Sequence, residues 1–307
     1  MKPVTVVDLD AEPRICDPDR ILIGIATRPL DARRAAALDV TIVPTDTGNG
    51  APFVAVADPR REVAMLRAAA EANPQAALAL VSVLRAAPPD VTAALDLESF
   101  AYSTLLGGAE FATWLAVRGA RPLPPPAHEP VLVERGADEL RVTLNRPERR
   151  NAYGRELRDA LVEALRIAVL DDTVTRVVLR GAGPSFCSGG DLAEFGTTPD
   201  VATAHFVRVQ AGASRLLHQL ADRVTVHVHG GCVGAGVELP AFADHVIARP
   251  DTTFRLPEVG MGLLPGAGGT VSLPRRIGRW RTLHLALSGR PIDASTALSW
   301  GLVDAVE

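Results

Sequence analysis

A run of prolines near the middle of the chain is the feature that most limits its fold. Five of the ten residues at 121–130 are proline, in the sequence RPLPPPAHEP. Proline has no backbone N–H and fixes φ at about −65°, so such a run forms neither a helix nor a central strand and favours an extended connector. We therefore predict a linker over 121–130 between a domain at 1–120 and a second domain at 131–307.

The segment before the linker has the pattern of an α/β domain. Short β-rich runs come first, and alanine-rich helical stretches at 60–72 and 75–87 follow them. A further helix is expected to start at Asp90, whose side chain can cap it, and to break at Gly107-Gly108 before a last short helix. The predicted strands are 4–7, 21–25, 40–43 and 53–57, and the last helix is 109–117.

Strands and helices alternate after the linker. This alternation favours an α/β domain in which the strands form a buried sheet and the loops at their ends carry the active groups. The predicted strands are 139–144, 176–180, 224–228 and 245–248, and the predicted helices are 155–170, 201–220 and 234–242.

Charge and composition exclude several classes of partner. Lys and Arg number 32 against 36 Asp and Glu, a net charge of −4 without any basic run, which argues against a nucleic-acid partner. No apolar stretch reaches the roughly 18 residues that cross a bilayer and the N-terminus has no apolar signal core, so we predict no membrane partner and a cytoplasmic location. The three cysteines (Cys16, Cys187, Cys232) lack CxxC spacing, and we expect them to be reduced and buried rather than part of a disulfide framework or a metal site.

Three glycine-rich loops follow predicted strands in the second half, at 181–192, 229–238 and 264–270. Glycine lets backbone N–H groups approach a ligand, and two such loops could aim two N–H groups at one oxygen, as an oxyanion hole requires. Close packing of the backbone is the alternative explanation for any one loop. The dinucleotide fingerprint fails because Phe186 occupies the place of its third glycine, and neither a P-loop nor a GxSxG elbow occurs.

Two glutamates stand in apolar surroundings. Glu238 lies one turn into an apolar helical stretch, and Glu258 follows the sequence FRLP. Burial would raise the pKa of each carboxyl, which suits proton transfer near neutral pH. The alternative for each is a salt bridge to a neighbour such as Arg255 or Arg275.

Five motifs in this order resemble those of the crotonase (enoyl-CoA hydratase/isomerase) superfamily. The resemblance covers about 130–307 and ends in a stretch similar to the family's GLV motif. It implies a crotonase-like ββα spiral core, so the predicted fold class is α/β with an additional N-terminal α/β domain, and it implies a homo-oligomer, a trimer or hexamer. The motifs are LNRPERRNA at 144–152, FCSGGDL at 186–192, GCVGAGVE at 231–238, FRLPE at 254–258 and PGAGGT at 265–270.

Carried over residue by residue, the resemblance implies an acyl-CoA site. The backbone N–H groups of Ser188 and Ala235 would form the oxyanion hole for the thioester carbonyl, and the residues Ser188, Gly189, Gly190 and Asp191 would line the path of the acyl-CoA. Glu238 would activate a water molecule, and Glu258 would deliver a proton to the α-carbon. No metal or other cofactor is implied beyond the coenzyme A thioester substrate.

Keeping both glutamates favours hydration of a 2-enoyl-CoA. One rival is isomerisation, or another crotonase reaction on a specialised acyl-CoA, because family members that only isomerise often keep one of the two. A rival from another class is an acyl-CoA-binding protein without turnover, which has no reason to bury two carboxylates. His229 and His284 are interpreted as structural, since hydration needs no imidazole.

The resemblance also implies helices after the GLV-like stretch, whereas this sequence ends at Glu307. Residues 97–115 weakly resemble the helical tails of some homologues. We therefore expect residues 1–120 to be a degenerate relative of the crotonase core that supplies the missing cover over the site and packs on the core. The cluster of Arg275, Arg276, Arg279 and Arg281 is interpreted as a solvated face, with contact to CoA phosphates or a partner subunit as the alternative.

Overall fold

The computed structural model describes residues 2–11, 17–28, 31–45, 47, 50–125, 128–198 and 200–307. The first part of the chain forms a parallel four-stranded sheet in the order β1-β2-β3-β4, followed by a group of helices. The strands are β1 Val4–Asp8, β2 Ile21–Ile25, β3 Val40–Pro44 and β4 Phe53–Val56, and the helices are α1 Ala32–Ala36, α2 Pro59–Ala72, α3 Pro74–Ala86, α4 Val91–Leu106 and α5 Ala109–Arg118.

The predicted elements of this part are confirmed. Asp90 caps α4 as expected, because its carboxylate accepts the N–H of Ala93 at 2.7 Å. Within the linker, residues 121–125 are in neither a helix nor a strand, and residues 126–127 lie outside the described residues. The division of the chain into domains at this linker stays a prediction.

After the linker the chain builds a six-stranded and a three-stranded sheet. The larger has the order β13-β10-β8-β7-β6-β5, and the smaller has the order β12-β11-β9. The strands are β5 Val131–Arg135, β6 Glu139–Leu144, β7 Arg176–Gly181, β8 Val224–Val228, β9 Gly231–Val233, β10 His245–Ala248, β11 Thr253–Arg255, β12 Ile292–Asp293 and β13 Ala305–Val306, and the helices are α6 Arg155–Leu170, α7 Val201–Ala211, α8 Ser214–Gln219, α9 Ala235–Glu238, α10 Gly269–Ser288 and α11 Ala294–Trp300.

Two predicted helices differ from the structure. The stretch at 201–220 is divided into α7 and α8, because Gly212 takes an extended conformation (φ −75°, ψ 146°). The stretch at 234–242 yields only the short α9 and then a 3₁₀ turn at Pro240–Phe242, since Pro240 has no N–H with which to continue the helix. The turn between α7 and α8 lies beside the cavity described below.

One continuous apolar core joins the two halves of the chain. It contains Ile23 and Leu80 from the first half together with Leu161, Val226 and Leu285 from the second. Residues 1–120 therefore pack on the core, as the sequence led us to expect. The packing is through α2, α3 and α4, which all contact α10.

The arginine cluster on α10 is only in part the solvated face that we predicted, since Arg275 is exposed whereas Arg276, Arg279 and Arg281 are half-buried. Arg279 donates to the carbonyl oxygens of Ala36 and Leu38 at 2.9 and 3.2 Å and approaches the buried carboxylate of Asp39 at 3.5 Å. The other three guanidinium groups are also used within the chain: Arg281 donates to the carbonyl of Gly50, Arg275 to that of Pro89, and Arg276 pairs with Asp304. Arg275, Arg279 and Arg281 thus fix α10 to the first half of the chain, which sequence spacing alone did not indicate.

Buried thiols and histidines have structural surroundings. Cys187 and Cys232 are free and buried, as predicted, while Cys16 lies outside the described residues. His284 contacts the buried carboxylate of Glu62 at 2.7 Å, and His229 lies 2.9 Å from the carbonyl oxygen of Gly183.

None of the helices in the described part of the chain is long and apolar enough to span a membrane.

Candidate active site

A cavity of about 280 Å³ lies between α4 of the first half and the glycine-rich loops of the second. Its lining includes Gly190, Asp191, Ala235, Glu238 and Glu258, so the structure brings most of the predicted site residues to one place. Ser188 and Gly189 are not among the lining residues. The cavity also receives side chains from α4 that sequence reasoning did not assign to the site.

Glu238 is held by a turn of the backbone. Its Oε2 accepts the N–H groups of Ala267 and Gly269 at 2.7 and 2.9 Å, and the side chain is almost wholly buried. A Cβ at Gly269 would lie 2.7 Å from the same oxygen, so glycine is needed for this approach. Burial raises the pKa of Glu238 well above its usual value, and the nearby carboxylates of Glu258 and Glu98 raise it further, while the two N–H groups oppose the shift.

Glu258 has the opposite surroundings. It begins the 3₁₀ turn Glu258–Met261 that follows β11, and within the described residues its buried Oε2 has no hydrogen-bond partner. Burial raises the pKa of Glu258 to about 7. Neither Glu238 nor Glu258 forms an ion pair with any described residue, and the salt bridges considered above are not formed: Arg255 donates to the carbonyl of Gly289 and Arg275 to that of Val271.

The assignment of Ser188 to the oxyanion hole does not fit the structure. Its N–H donates to the carbonyl oxygen of Arg150 at 2.9 Å, so it is not available to a substrate. Gly190, two residues further on, lines the cavity, and its N–H makes no hydrogen bond with any described residue. The same holds for Ala235, whose N–H is free because it is the first residue of α9.

Asp191 lines the cavity, and its carboxylate is bound by Arg149 and Ala193. Arg149 forms a two-pronged ion pair with it, at 2.9 and 2.6 Å, and the N–H of Ala193 donates to it at 3.0 Å. This buried carboxylate thus fixes the loop that carries Gly190.

Glu98 on α4 is the functional candidate that sequence reasoning missed. It is 2% exposed, and its carboxylate accepts the N–H of Gly268 at 2.7 Å and both the N–H and the hydroxyl of Thr270, at 2.8 and 2.7 Å. Burial raises the pKa of Glu98 to about 7. The sequence signal was its spacing: Glu98 stands three residues after Leu95 on the apolar stripe of α4, where a charged residue needs a buried partner.

The rest of the cavity wall is largely apolar. Tyr102, Leu106, Phe195 and Val207 line it, as expected for a pocket that takes an acyl chain. The guanidinium of Arg208 lies 4.4 Å from the centre of the Tyr102 ring. It donates to the hydroxyl groups of Ser99 and Ser103 at 3.1 and 2.7 Å, so it is held in a fixed orientation at the wall.

Comparison with known sequences decides the family. The family description "Enoyl-CoA hydratase/isomerase" matches residues 135–307. The chain belongs to the enoyl-CoA hydratase/isomerase family. Over 176 residues it is 38% identical to a 1,2-epoxyphenylacetyl-CoA isomerase of Escherichia coli (strain K12), covering 56% of this chain and 66% of that protein. A 2,3-dehydroadipyl-CoA hydratase of the same organism is 36% identical over 57% of this chain and 68% of its own length.

Solved structures agree with this assignment. The enoyl-CoA hydratase of Thermoplasma volcanium GSS1 has a TM-score of 0.54 and 32% identity, covering 59% of this chain and 72% of that one. An enoyl-CoA hydratase of Mycobacterium smegmatis gives 0.53 and 31%, over 58% and 69%. The crotonase-like α/β fold is thereby confirmed. The chain spans about two thirds of the length of the curated relatives it matches, and Glu98 lies outside the part that the family description covers.

Proposed function

We propose that this member of the enoyl-CoA hydratase/isomerase family adds water across the double bond of a 2-enoyl-CoA. The observation that carries the proposal is the presence of two carboxyl groups, the buried Glu238 and the half-buried Glu258 with its buried Oε2, in one cavity beside two free backbone N–H groups. Crotonase-type chemistry on an acyl-CoA is supported by the family. Hydration is the specific reaction that two proton-transferring groups favour.

The N–H groups of Gly190 and Ala235 are proposed to bind the thioester oxygen. Attack at the β-carbon moves negative charge onto this oxygen, and fixed donors stabilise the charge without having to reorganise. Each donor of this kind contributes roughly 2.7–4 kcal/mol to the transition state in other enzymes. Neither donor depends on a side chain, which agrees with glycine and alanine at the two positions.

The hydrogen bonds indicate which carboxyl carries the charge. The N–H groups of Ala267 and Gly269 stabilise the ionised form of Glu238, whereas Oε2 of Glu258 has no donor and is better satisfied as a protonated carboxyl. Because the charge of Glu258 raises the pKa of Glu238, the two carboxyls do not readily ionise together, and the N–H donors to Glu238 favour Glu258 as the one that keeps the proton. Glu238 would thus accept a proton from the water molecule while the water oxygen bonds to the β-carbon. Glu258 would give its proton to the α-carbon.

Substitution of either glutamate by glutamine tests these roles. We expect Glu238→Gln and Glu258→Gln each to lower kcat by at least about 100-fold with a much smaller change in thioester binding, since the amide donors remain. The assay follows the loss of enoyl absorbance with a panel of 2-enoyl-CoA thioesters and identifies the product. Glu110→Gln, which changes a glutamate at the start of α5, serves as the control. Near-wild-type turnover in either variant would remove that residue from the mechanism.

Product identity separates hydration from its rivals. A 3-hydroxyacyl-CoA supports hydration, whereas a product with a shifted double bond and no added oxygen would identify an isomerase that uses one glutamate. Binding of thioesters without turnover of any of them would identify an acyl-CoA-binding protein. Assembly as a homo-oligomer, a cytoplasmic location and the absence of a further cofactor stay predictions.

A further inference from the structure

The turn at 266–270 holds two glutamates at once. Its successive N–H groups point alternately to either side: those of Ala267 and Gly269 donate to Glu238, and those of Gly268 and Thr270 donate to Glu98. All four distances lie between 2.7 and 2.9 Å. Each carboxylate is therefore linked to the other through a single short piece of backbone.

Because this turn is rich in glycine, its backbone conformation depends on the contacts that it makes. Three of its residues are glycine, and Gly268 has φ +100°, a conformation that side chains disfavour. A Cβ at Gly266 would overlap the ring of Tyr102, so the turn also packs against α4. Because glycine has the greatest conformational freedom of any residue, the hydrogen bonds that the turn donates to the two carboxylates fix this backbone.

We propose that Glu98 is a positioning residue, which fixes the turn at 266–270 and through it the carboxylate of Glu238 in the active site. The inference rests on the proposed function for its catalytic consequence. Glu98 is not assigned contact with substrate, because three donors already occupy its two oxygens. The residue that holds the catalytic turn thus comes from outside residues 135–307, the part that the family description matches.

The electrostatic surroundings give this role a measurable signature. The groups that face Glu98 are Tyr102 on its own helix, Arg208 on α7, Glu238 on α9 and Glu258 on the 3₁₀ turn after β11. The charge of Glu98 raises the pKa of Glu238 and of Glu258. Removing that charge should therefore move the acidic limb of the kcat profile to lower pH, an effect that simple loss of stability would not produce.

Glu98→Gln is the main test, because glutamine keeps the shape but offers one acceptor and one donor to a site that supplies only donors. We expect kcat to fall at least about 10-fold, KM to change by less than about 3-fold, and the acidic limb to shift downward. Amide exchange, measured by mass spectrometry on peptides that span 263–272, should become faster at the turn. The exchange measurement does not need activity, so it tests the positioning role even if no 2-enoyl-CoA is turned over, an outcome that would count against the proposed function alone.

Glu110→Gln is the matched control. Glu110 also lies in the first half of the chain and also accepts two backbone N–H groups, those of Gln75 and Ala76 at 2.7 and 3.0 Å, but at the start of α3 rather than at the site. This control should leave the pH profile and the exchange at 263–272 unchanged. If Glu98→Gln does not fold, Thr270→Val removes only the hydroxyl donor to Glu98, and we expect it to speed exchange at the turn and to lower kcat several-fold. Wild-type exchange at the turn in the folded variant, or a loss of kcat no larger than that of Glu110→Gln, overturns the proposal.

Discussion

Buried carboxyl groups without an ion-pair partner are costly to a fold, and three such groups line this cavity: Glu98 and Glu238 are almost wholly buried, and Glu258 is half-buried with a buried Oε2. Glu98 and Glu238 recover part of the cost through five hydrogen bonds from backbone and hydroxyl donors. Glu258 recovers none at Oε2. A buried oxygen without a partner in a native structure indicates a group kept for its chemistry rather than for stability.

Glu258 should therefore lower the stability of the fold at alkaline pH. The pKa of Glu258 is about 7 in the folded protein, against 4.5 for a glutamate without these surroundings. The folded state therefore holds the proton of Glu258 at pH values where the unfolded chain has lost it, and the free energy of unfolding falls as the pH rises through 7. We expect Glu258→Gln to raise the free energy of unfolding by roughly 2 kcal/mol more at pH 8 than at pH 5. Denaturant titrations at the two pH values measure this, and Glu134→Gln at an exposed site should show no such difference. An equal effect at both pH values would contradict the folded-state pKa.

Sequence motifs placed the two proposed catalytic glutamates in the cavity, but they misplaced one of the two proposed backbone donors. Glu238 and Glu258 were found because a carboxylate in an apolar run is visible in sequence. The sequence motif assigned one oxyanion donor to Ser188, two residues before Gly190, whose N–H is the free one at the cavity. The direction of an N–H depends on backbone dihedral angles, which the sequence does not show. Gly189 has φ +88°, so the backbone turns between Ser188 and Gly190 and presents only the latter to the cavity.

At the scale of elements, Gly234 lies where the loop that carries Glu238 approaches the loop that carries Glu258. It precedes α9, which carries Glu238, with φ +49°, and a Cβ there would lie 2.5 Å from Oε1 of Glu258. We expect Gly234→Ala to destabilise the fold by about 1–3 kcal/mol and to lower kcat at least about 10-fold, because both the strained backbone and the displaced carboxylate affect the site. Thermal unfolding and the enoyl-CoA assay measure the two effects.

Gly260 supplies the matched control for that substitution. It lies in the same 3₁₀ turn as Glu258, yet nothing lies within 4 Å of a Cβ added to it. Gly260→Ala should leave both stability and kcat close to those of the wild type. Equal losses in the two variants would mean that the turn tolerates no side chain at all, and the close approach of Gly234 to Glu258 would lose its significance.

Elements with strong periodicity were predictable, and elements defined by their partners were not. The four strands of the first sheet and α4 with its Asp90 cap follow directly from the sequence. The short strands β9 and β11 have three residues each and pair only because the chain brings them together. Helix α10 was not predicted, since it contains Pro274 and a non-helical glycine at 278.

At the scale of the whole molecule, the first half of the chain completes the site that the second half begins. Helix α4 supplies Glu98 and Tyr102 to the cavity, while arginines on α10 hold the end of α1 and the loop before β4. The sequence indicated this arrangement only weakly, through the tail-like segment at 97–115. Contacts between distant segments depend on the packing of apolar faces, and the sequence of an apolar face does not show which other face it will pack against.

Removal of the first half should therefore leave the second half either insoluble or inactive. We expect a fragment of residues 130–307 to be aggregated, or monomeric and inactive, because the apolar faces that pack on α2, α3 and α4 become exposed. The comparison is the full chain with a protease site inserted at the exposed Leu123 and then cleaved, which breaks the linker and keeps every contact. We expect the cleaved protein to remain associated and to keep most of its activity, as size-exclusion chromatography and the enoyl-CoA assay will measure. A soluble, active oligomer formed by 130–307 alone would show that the first half is an independent appendage and that Glu98 is dispensable.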